Sequence, residues 1–116
     1  MVIKWYVSAP IWGLSPEKVK ESFDGGKALL EMSGYEAVLP IEVEPYQHEG
    51  ECPEGRKAEG MEHTDVCHMR GDLLALLDCD GILMMAGWES SWGCRTELQV
   101  AAICGITVKF EEDMVW

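Results

Sequence analysis

Basic residues are scarce in this 116-residue chain: nine Lys and Arg stand against 21 Asp and Glu, a formal net charge of −12. A field of that sign repels polyanions, so neither a nucleic-acid polymer nor an anionic membrane surface is expected as a partner. Long apolar runs are absent. No 18 consecutive apolar residues occur, and the first twenty residues hold no stretch of signal-peptide type, so the chain reads as soluble and cytoplasmic. The nucleophile elbow, the phosphate-cradling P-loop and the G-x-G-x-x-G fingerprint are missing, which removes support for the corresponding hydrolases, kinases and dehydrogenases. Cys52, Cys67, Cys79, Cys94 and Cys104 form an odd set without close pairs, as expected of reduced thiols rather than a disulfide framework. His63, Cys67 and His68, with Cys52 upstream, carry donors that zinc favours. Zinc motifs usually offer a second close-spaced pair, and Cys52 stands alone, so the expectation is no metal and no cofactor.

What is present suffices for one domain over residues 1–116. With 47% hydrophobic residues the chain can bury a core, and disorder is not expected. Val2 to Val7 is rich in β-branched and aromatic residues and ends at Ser8-Ala9-Pro10, which predicts a first strand. Ser15-Pro16-Glu17 combines a capping hydroxyl, a proline at the first helical position and an early acid; Gly34 follows the apolar positions, so a helix spans about 16–33, weakened at Gly25-Gly26. Glu36 to Leu39 reads as a short strand. From Ile41 to about Glu62 the sequence turns to Glu, Gly, Pro, Gln and His without periodicity, and a loop of that length suggests a functional flap.

Thr64 or Asp65 can cap a second helix with Val66, Met69, Leu73, Leu76 and Leu77 on one face, ending near Asp78. Ile82 to Met85 is a continuous apolar run suited to a strand covered on both faces. Ser90 or Ser91 caps a third helix running to Cys104, Gly105 supplies its C-terminal turn, and Ile106 to Phe110 is a last strand. The resulting βαβαβαβ order predicts a flavodoxin-like or Rossmann-like three-layer α/β sandwich with four parallel strands in the order 2-1-3-4. Ligands of such sheets bind at the carboxyl ends of the strands, here the loops 8–14, 41–63 and 86–91. Trp12, Trp88 and Trp92 lie in or beside them, either as lids over the core or as a stacking wall for a flat heterocycle.

Glu97 is the most informative residue. On a helical projection of 91–104, Trp92, Arg95, Thr96 and Gln99 share one side, while Cys94, Leu98, Ala101 and Cys104 face the other, with Glu97 in their midst. A carboxylate there is costly unless it is paired or faces a cavity at the ligand-binding edge, and Gly93, one turn earlier, leaves room above it. Asp72 borders the apolar stripe of the second helix, where a solvated acid is the plainer reading. Asp80 sits at the amino end of a strand and suits a turn.

The run Ser91-Trp92-Gly93-Cys94-Arg95-Thr96-Glu97-Leu98, after an Asp-rich turn and an apolar strand, resembles the nucleoside 2-deoxyribosyltransferase superfamily. Within it the chain is most similar to a small uncharacterised bacterial and phage family, and less so to the deoxynucleoside monophosphate N-glycosidases. Tyr6-Val7-Ser8-Ala9-Pro10 matches the family's first strand and loop, Asp72 to Asp80 its second helix and turn, and Gly87-Trp88-Glu89 the loop before the motif. The resemblance implies cleavage or exchange of the N-glycosidic bond of a nucleoside or nucleoside 5′-monophosphate. Glu97 then matches the nucleophile, Asp72 the acid/base, Tyr6 a tyrosine beside the nucleophile, and Ser91 with Gly93 the helix start that contacts the sugar or its phosphate. Ser8, Ala9, Pro10, Trp12 and Trp88 complete the expected substrate-binding set.

The loop before Ser91 lacks the paired aspartates of the transferases, and Pro10 and Trp12 stand where the nucleotidases are rich in Gly and Arg. A second class therefore stays open, a non-catalytic nucleotide-binding or protein-interaction domain on the same scaffold. Two structural expectations follow: Glu97 opens into a pocket at the sheet's carboxyl edge, and uncovered apolar faces make the protein a homo-oligomer.

Overall fold

A computed structural model describes residues 3–114 of the chain. Four parallel strands, β1 (Lys4–Ser8), β2 (Glu36–Val38), β3 (Gly81–Met84) and β4 (Thr107–Phe110), form one sheet in the order β2-β1-β3-β4. The helices are α1 (Pro16–Met32), α2 (Asp65–Leu77) and α3 (Trp92–Ile103), with short 3-10 turns at Pro40–Glu42, Trp88–Ser90 and Glu111–Met114. The expected fold and strand order are both present. Among the described residues no helix is long and apolar enough to cross a membrane.

The period-two alternation of the central strands sorts the core into two layers. Trp5, Val7, Leu83 and Met85 pack against Phe23 and Leu30 of α1. Tyr6, Ile82 and Met84 turn to the opposite face, against Leu76 of α2 and Cys94 and Ala101 of α3. All four residues of β3 are buried, as its apolar run requires.

Several boundaries differ from the sequence expectation. β1 begins at Lys4, Val2 lies outside the described residues, and Ser8 belongs to the strand, registered opposite Met84 of β3, rather than ending it. The first helix runs unbroken through Gly25-Gly26. Gly26 is buried there because a Cβ would fall 2.7 Å from Val7 Cγ1, so the glycine allows α1 to approach the sheet closely instead of weakening the helix. In α2 the buried positions are Cys67, Gly71 and Leu76, whereas Leu77 is 51% exposed. The face is turned by the loop before it: a Cβ on Gly71 would lie 2.3 Å from the Glu44 carbonyl oxygen, so loop backbone covers that side of the helix. Cys104 caps the end of α3 and is exposed. Asp80 takes the expected turn role, accepting from the Lys4 N–H at 3.0 Å.

Candidate active site

Chain order reverses between β1 and β3, and at their carboxyl ends such sheets place a crevice. α3 starts beside that point. Ser91 is its N-cap, its Oγ accepting from the Cys94 N–H at 3.2 Å. One and a half turns on, Glu97 shares the buried face with Cys94 and Ala101 and is only 5% exposed. Tyr6 and Ser8, two residues apart on β1, point to the same side of the sheet. The Tyr6 hydroxyl donates a short hydrogen bond to Glu97 Oε2, and the Ser8 hydroxyl donates to Oε1 at 2.8 Å. Both carboxylate oxygens are thus held by hydroxyl groups from one strand.

Burial pushes the Glu97 carboxyl above the ordinary glutamate range, while the Tyr6 and Ser8 donors pull it back by favouring the ionised form. The Tyr6 phenol is held far above its usual range by burial, then by the charges of Glu97 and Asp72, so it stays a donor at any physiological pH. Asp72, half-buried on α2, is raised up to about 8 by burial and by the charge of Glu97. It is therefore not the solvated acid of the plainer reading.

The other expected site residues scatter around this centre. Ala9 is buried and Pro10 half-buried; a Cβ on Gly87 would lie 3.3 Å from Pro10 Cγ, so the loops after β1 and β3 touch at this edge. Trp12 is exposed, with the Arg56 guanidinium 4.2 Å from its ring centre. Trp88 is half-buried and leans on Phe110 at 5.5 Å between ring centroids, and Trp92 is 60% exposed. The room above Gly93 is shared with Met69 of α2, since a Cβ there would sit 3.2 Å from Met69 Cε. Two surface clefts are open, one of about 530 Å³ between the Ile11–Leu14 loop, α1 and Ile41, the other of about 350 Å³ beside Trp88 and Phe110. Glu97 lines neither of these two clefts; its carboxyl is buried against the Tyr6 and Ser8 hydroxyls of β1.

The domain of unknown function DUF4406 matches residues 3–110 of the sequence. The chain belongs to this family. No curated protein matches it. Among the solved structures that share its fold are a conserved protein and a 2-deoxyribosyltransferase. A conserved protein from Enterococcus faecalis V583 superposes with a TM-score of 0.67 at 16% identity, covering 95% of this chain. The chain spans 63% of that protein's length. A 2-deoxyribosyltransferase from the psychrotolerant bacterium Bacillus psychrosaccharolyticus superposes with a TM-score of 0.61 at 18% identity, over 92% of this chain and 70% of its own. At such identities the likeness is one of fold, and it agrees with the 2-deoxyribosyltransferase-like resemblance of the sequence.

In the DUF4406 domain the structure joins His48 to three of the donors named from the sequence, Cys52, His63 and Cys67. His48, Cys52, His63 and Cys67 bring their donor atoms within 4.8 Å of one another, while His68 takes no part. Cys52 does not stand alone: His48 precedes it by four residues, as His63 precedes Cys67, giving the paired pattern H-x3-C-x10-H-x3-C. Counting His48 as a donor would have revealed it.

Proposed function

We propose that this domain cleaves or exchanges the N-glycosidic bond of a nucleoside or nucleoside 5′-monophosphate. The observation that carries the reading is the buried Glu97 carboxylate gripped by two β1 hydroxyls, with an acid of raised pKa facing it from α2. In this reading Glu97 attacks the anomeric carbon as the bond to the base breaks, forming a glycosyl ester. Asp72, protonated at neutral pH, gives its proton to the departing base nitrogen. Now a carboxylate, it takes a proton from water or from an incoming base, whose oxygen or nitrogen displaces Glu97 and completes hydrolysis or transfer. Tyr6 and Ser8 hold the nucleophile ionised and aimed.

Ser91 and Gly93 at the start of α3, where N–H groups and the helix dipole favour anions, are proposed to meet the sugar or its 5′-phosphate. Ser8, Ala9, Pro10, Trp12 and Trp88 are proposed to line the base side, with the exposed Trp12, one face of which carries the Arg56 guanidinium, as the stacking aromatic. Substrate reaches the buried Glu97 only if neighbouring side chains yield. Exposed Leu74, Leu77 and Ile103 on α2 and α3 are proposed to bury themselves in a homo-oligomer.

A second reading rests on the same enclosure. Both Glu97 oxygens are satisfied within the fold and Glu97 borders neither cleft, as suits a scaffold that binds a nucleotide or a protein without turning anything over. The two are separated by incubating the protein with a panel of nucleosides and 5′-monophosphates and measuring free base. Release of base that falls on the order of 10⁴-fold or more in Glu97→Gln, with the fold intact, is expected of the enzyme. Full activity in Glu97→Gln would exclude Glu97 as the nucleophile, and no release from any substrate would leave the binding domain.

A further inference from the structure

The segment between the 3-10 turn at Pro40–Glu42 and α2 has neither helix nor strand, and its polar composition gives it no core of its own. It is nevertheless fastened to α2. The Tyr46 N–H donates to the Cys67 carbonyl at 2.9 Å, the Thr64 hydroxyl donates to the Pro53 carbonyl at 3.1 Å, and the Arg70 guanidinium lies 3.6 Å above the Tyr46 ring. At the centre of these contacts, three donor side chains from the loop, His48, Cys52 and His63, converge on Cys67 in the first turns of α2.

The geometry is that of a metal cage. His48 Nε2 lies 3.2 Å from Cys67 Sγ, and His63 Nδ1 lies 3.4 Å from Cys52 Sγ. A tetrahedral zinc ion with Zn–S of about 2.3 Å and Zn–N of about 2.0–2.1 Å sets its sulfur and nitrogen ligands about 3.5 Å apart. The observed separations match that to within a few tenths of an ångström. The outer shell is also in place: His48 Nδ1 lies 3.2 Å from the Glu49 carbonyl oxygen, to which it can only donate. That bond fixes the tautomer leaving the Nε2 lone pair facing the cluster, as histidine ligands are usually fixed. Two thiols and two imidazoles are wrong for magnesium or calcium and right for zinc.

We propose that His48, Cys52, His63 and Cys67 bind one zinc ion. Four protein ligands complete its shell, so the site is structural: it leaves no position for substrate or water and takes no part in bond cleavage. It staples the loop to α2 one turn before Gly71, the residue whose missing side chain lets the Glu44 carbonyl lie against the helix beside Asp72. The proposal stands independently of the glycosidic reading, because it concerns ligation and loop order alone.

The test is metal content. Protein expressed with zinc and purified without chelator is expected to carry about one zinc per chain. Cobalt(II) in its place is expected to show the intense visible bands of a tetrahedral site with thiolate-to-metal charge transfer. Cys52→Ser and His48→Ala, both on the loop and with the circular dichroism of the α/β core retained, are expected to lower zinc affinity roughly tenfold or more. His68→Ala, beside the cluster but outside it, is expected to bind as the parent does. Chelation is expected to speed proteolysis within residues 43–64 while the core resists. A folded protein that takes up no zinc, a Cys52→Ser variant that holds zinc as tightly as the parent, a cobalt spectrum without the thiolate band, or iron in place of zinc in the protein as isolated would each overturn the assignment.

Discussion

Removing a single oxygen atom, in Tyr6→Phe, tests the electrostatics of the site without requiring a known substrate. The Tyr6 side chain is wholly buried, so no water replaces the lost donor, and Glu97 Oε2 is left unpaired. A hydrogen bond to a charged group contributes about 1.5–3 kcal/mol, and about 1.4 kcal/mol corresponds to one pKa unit. The Glu97 pKa in the folded protein should therefore rise further. The sign follows from linkage. Glu97 is already raised, so the native state keeps its proton longer than the unfolded chain does, and stability falls as pH climbs from the ordinary glutamate range through the folded value. Tyr6→Phe widens that window. Urea unfolding at neutral pH should show a loss of about 1.5–3 kcal/mol, and the loss should shrink on acidification, because a protonated Glu97 depends less on the donor. Where base release is measurable, the acid limb of its pH profile should move to higher pH with it. An equal loss at neutral and acid pH, with the acid limb unmoved, would refute the argument that Tyr6 stabilises an ionised Glu97.

Asp72 should govern the alkaline side: with its pKa near 8, the proton donor disappears as pH rises through that value, so base release should decline there. Asp72→Asn should abolish this limb, slow substrates with good leaving groups least, and in chemical denaturation gain stability relative to the parent as pH climbs from the ordinary aspartate range to about 8, levelling off above it, since across that window the parent's folded state holds a proton that its unfolded chain has released. Light scattering at micromolar concentration should give a mass above the 13.0 kDa of one chain, and a monomer would exclude burial of Leu74, Leu77 and Ile103 between copies. Gly71→Ala should destabilise by about 1–3 kcal/mol despite the better helix propensity of alanine, because its Cβ would meet the Glu44 backbone carbonyl at 2.3 Å. A gain in thermal midpoint would show that the loop does not press on α2.

The sequence by itself determined the frame. Alternation of apolar runs and capped amphipathic segments is a local property, and from it came four parallel strands in the order 2-1-3-4 and a third helix whose buried side carries a carboxylate. Glu97 was legible because a 3.6-residue period places it between Cys94 and Ala101, whatever lies opposite. Tertiary structure decided what lies opposite. That Ser8 is the last residue of β1, its hydroxyl on a carboxylate 89 positions away, depends on where one strand ends against another. The state of Asp72 likewise depends on α2 and α3 facing each other across the sheet end, because burial and a neighbouring charge are properties of the assembled site. The same holds for Gly26, which looks like a helix weakness in the sequence and is a close approach in the fold, as Gly71 also is. The loop 41–63 was least legible of all. Without periodicity it offers no signal of secondary structure, and although the H-x3-C spacing repeats in the sequence, only folding back on α2 brings His48, Cys52 and His63 to Cys67, since donors spread along a chain come together only when the backbone closes around them.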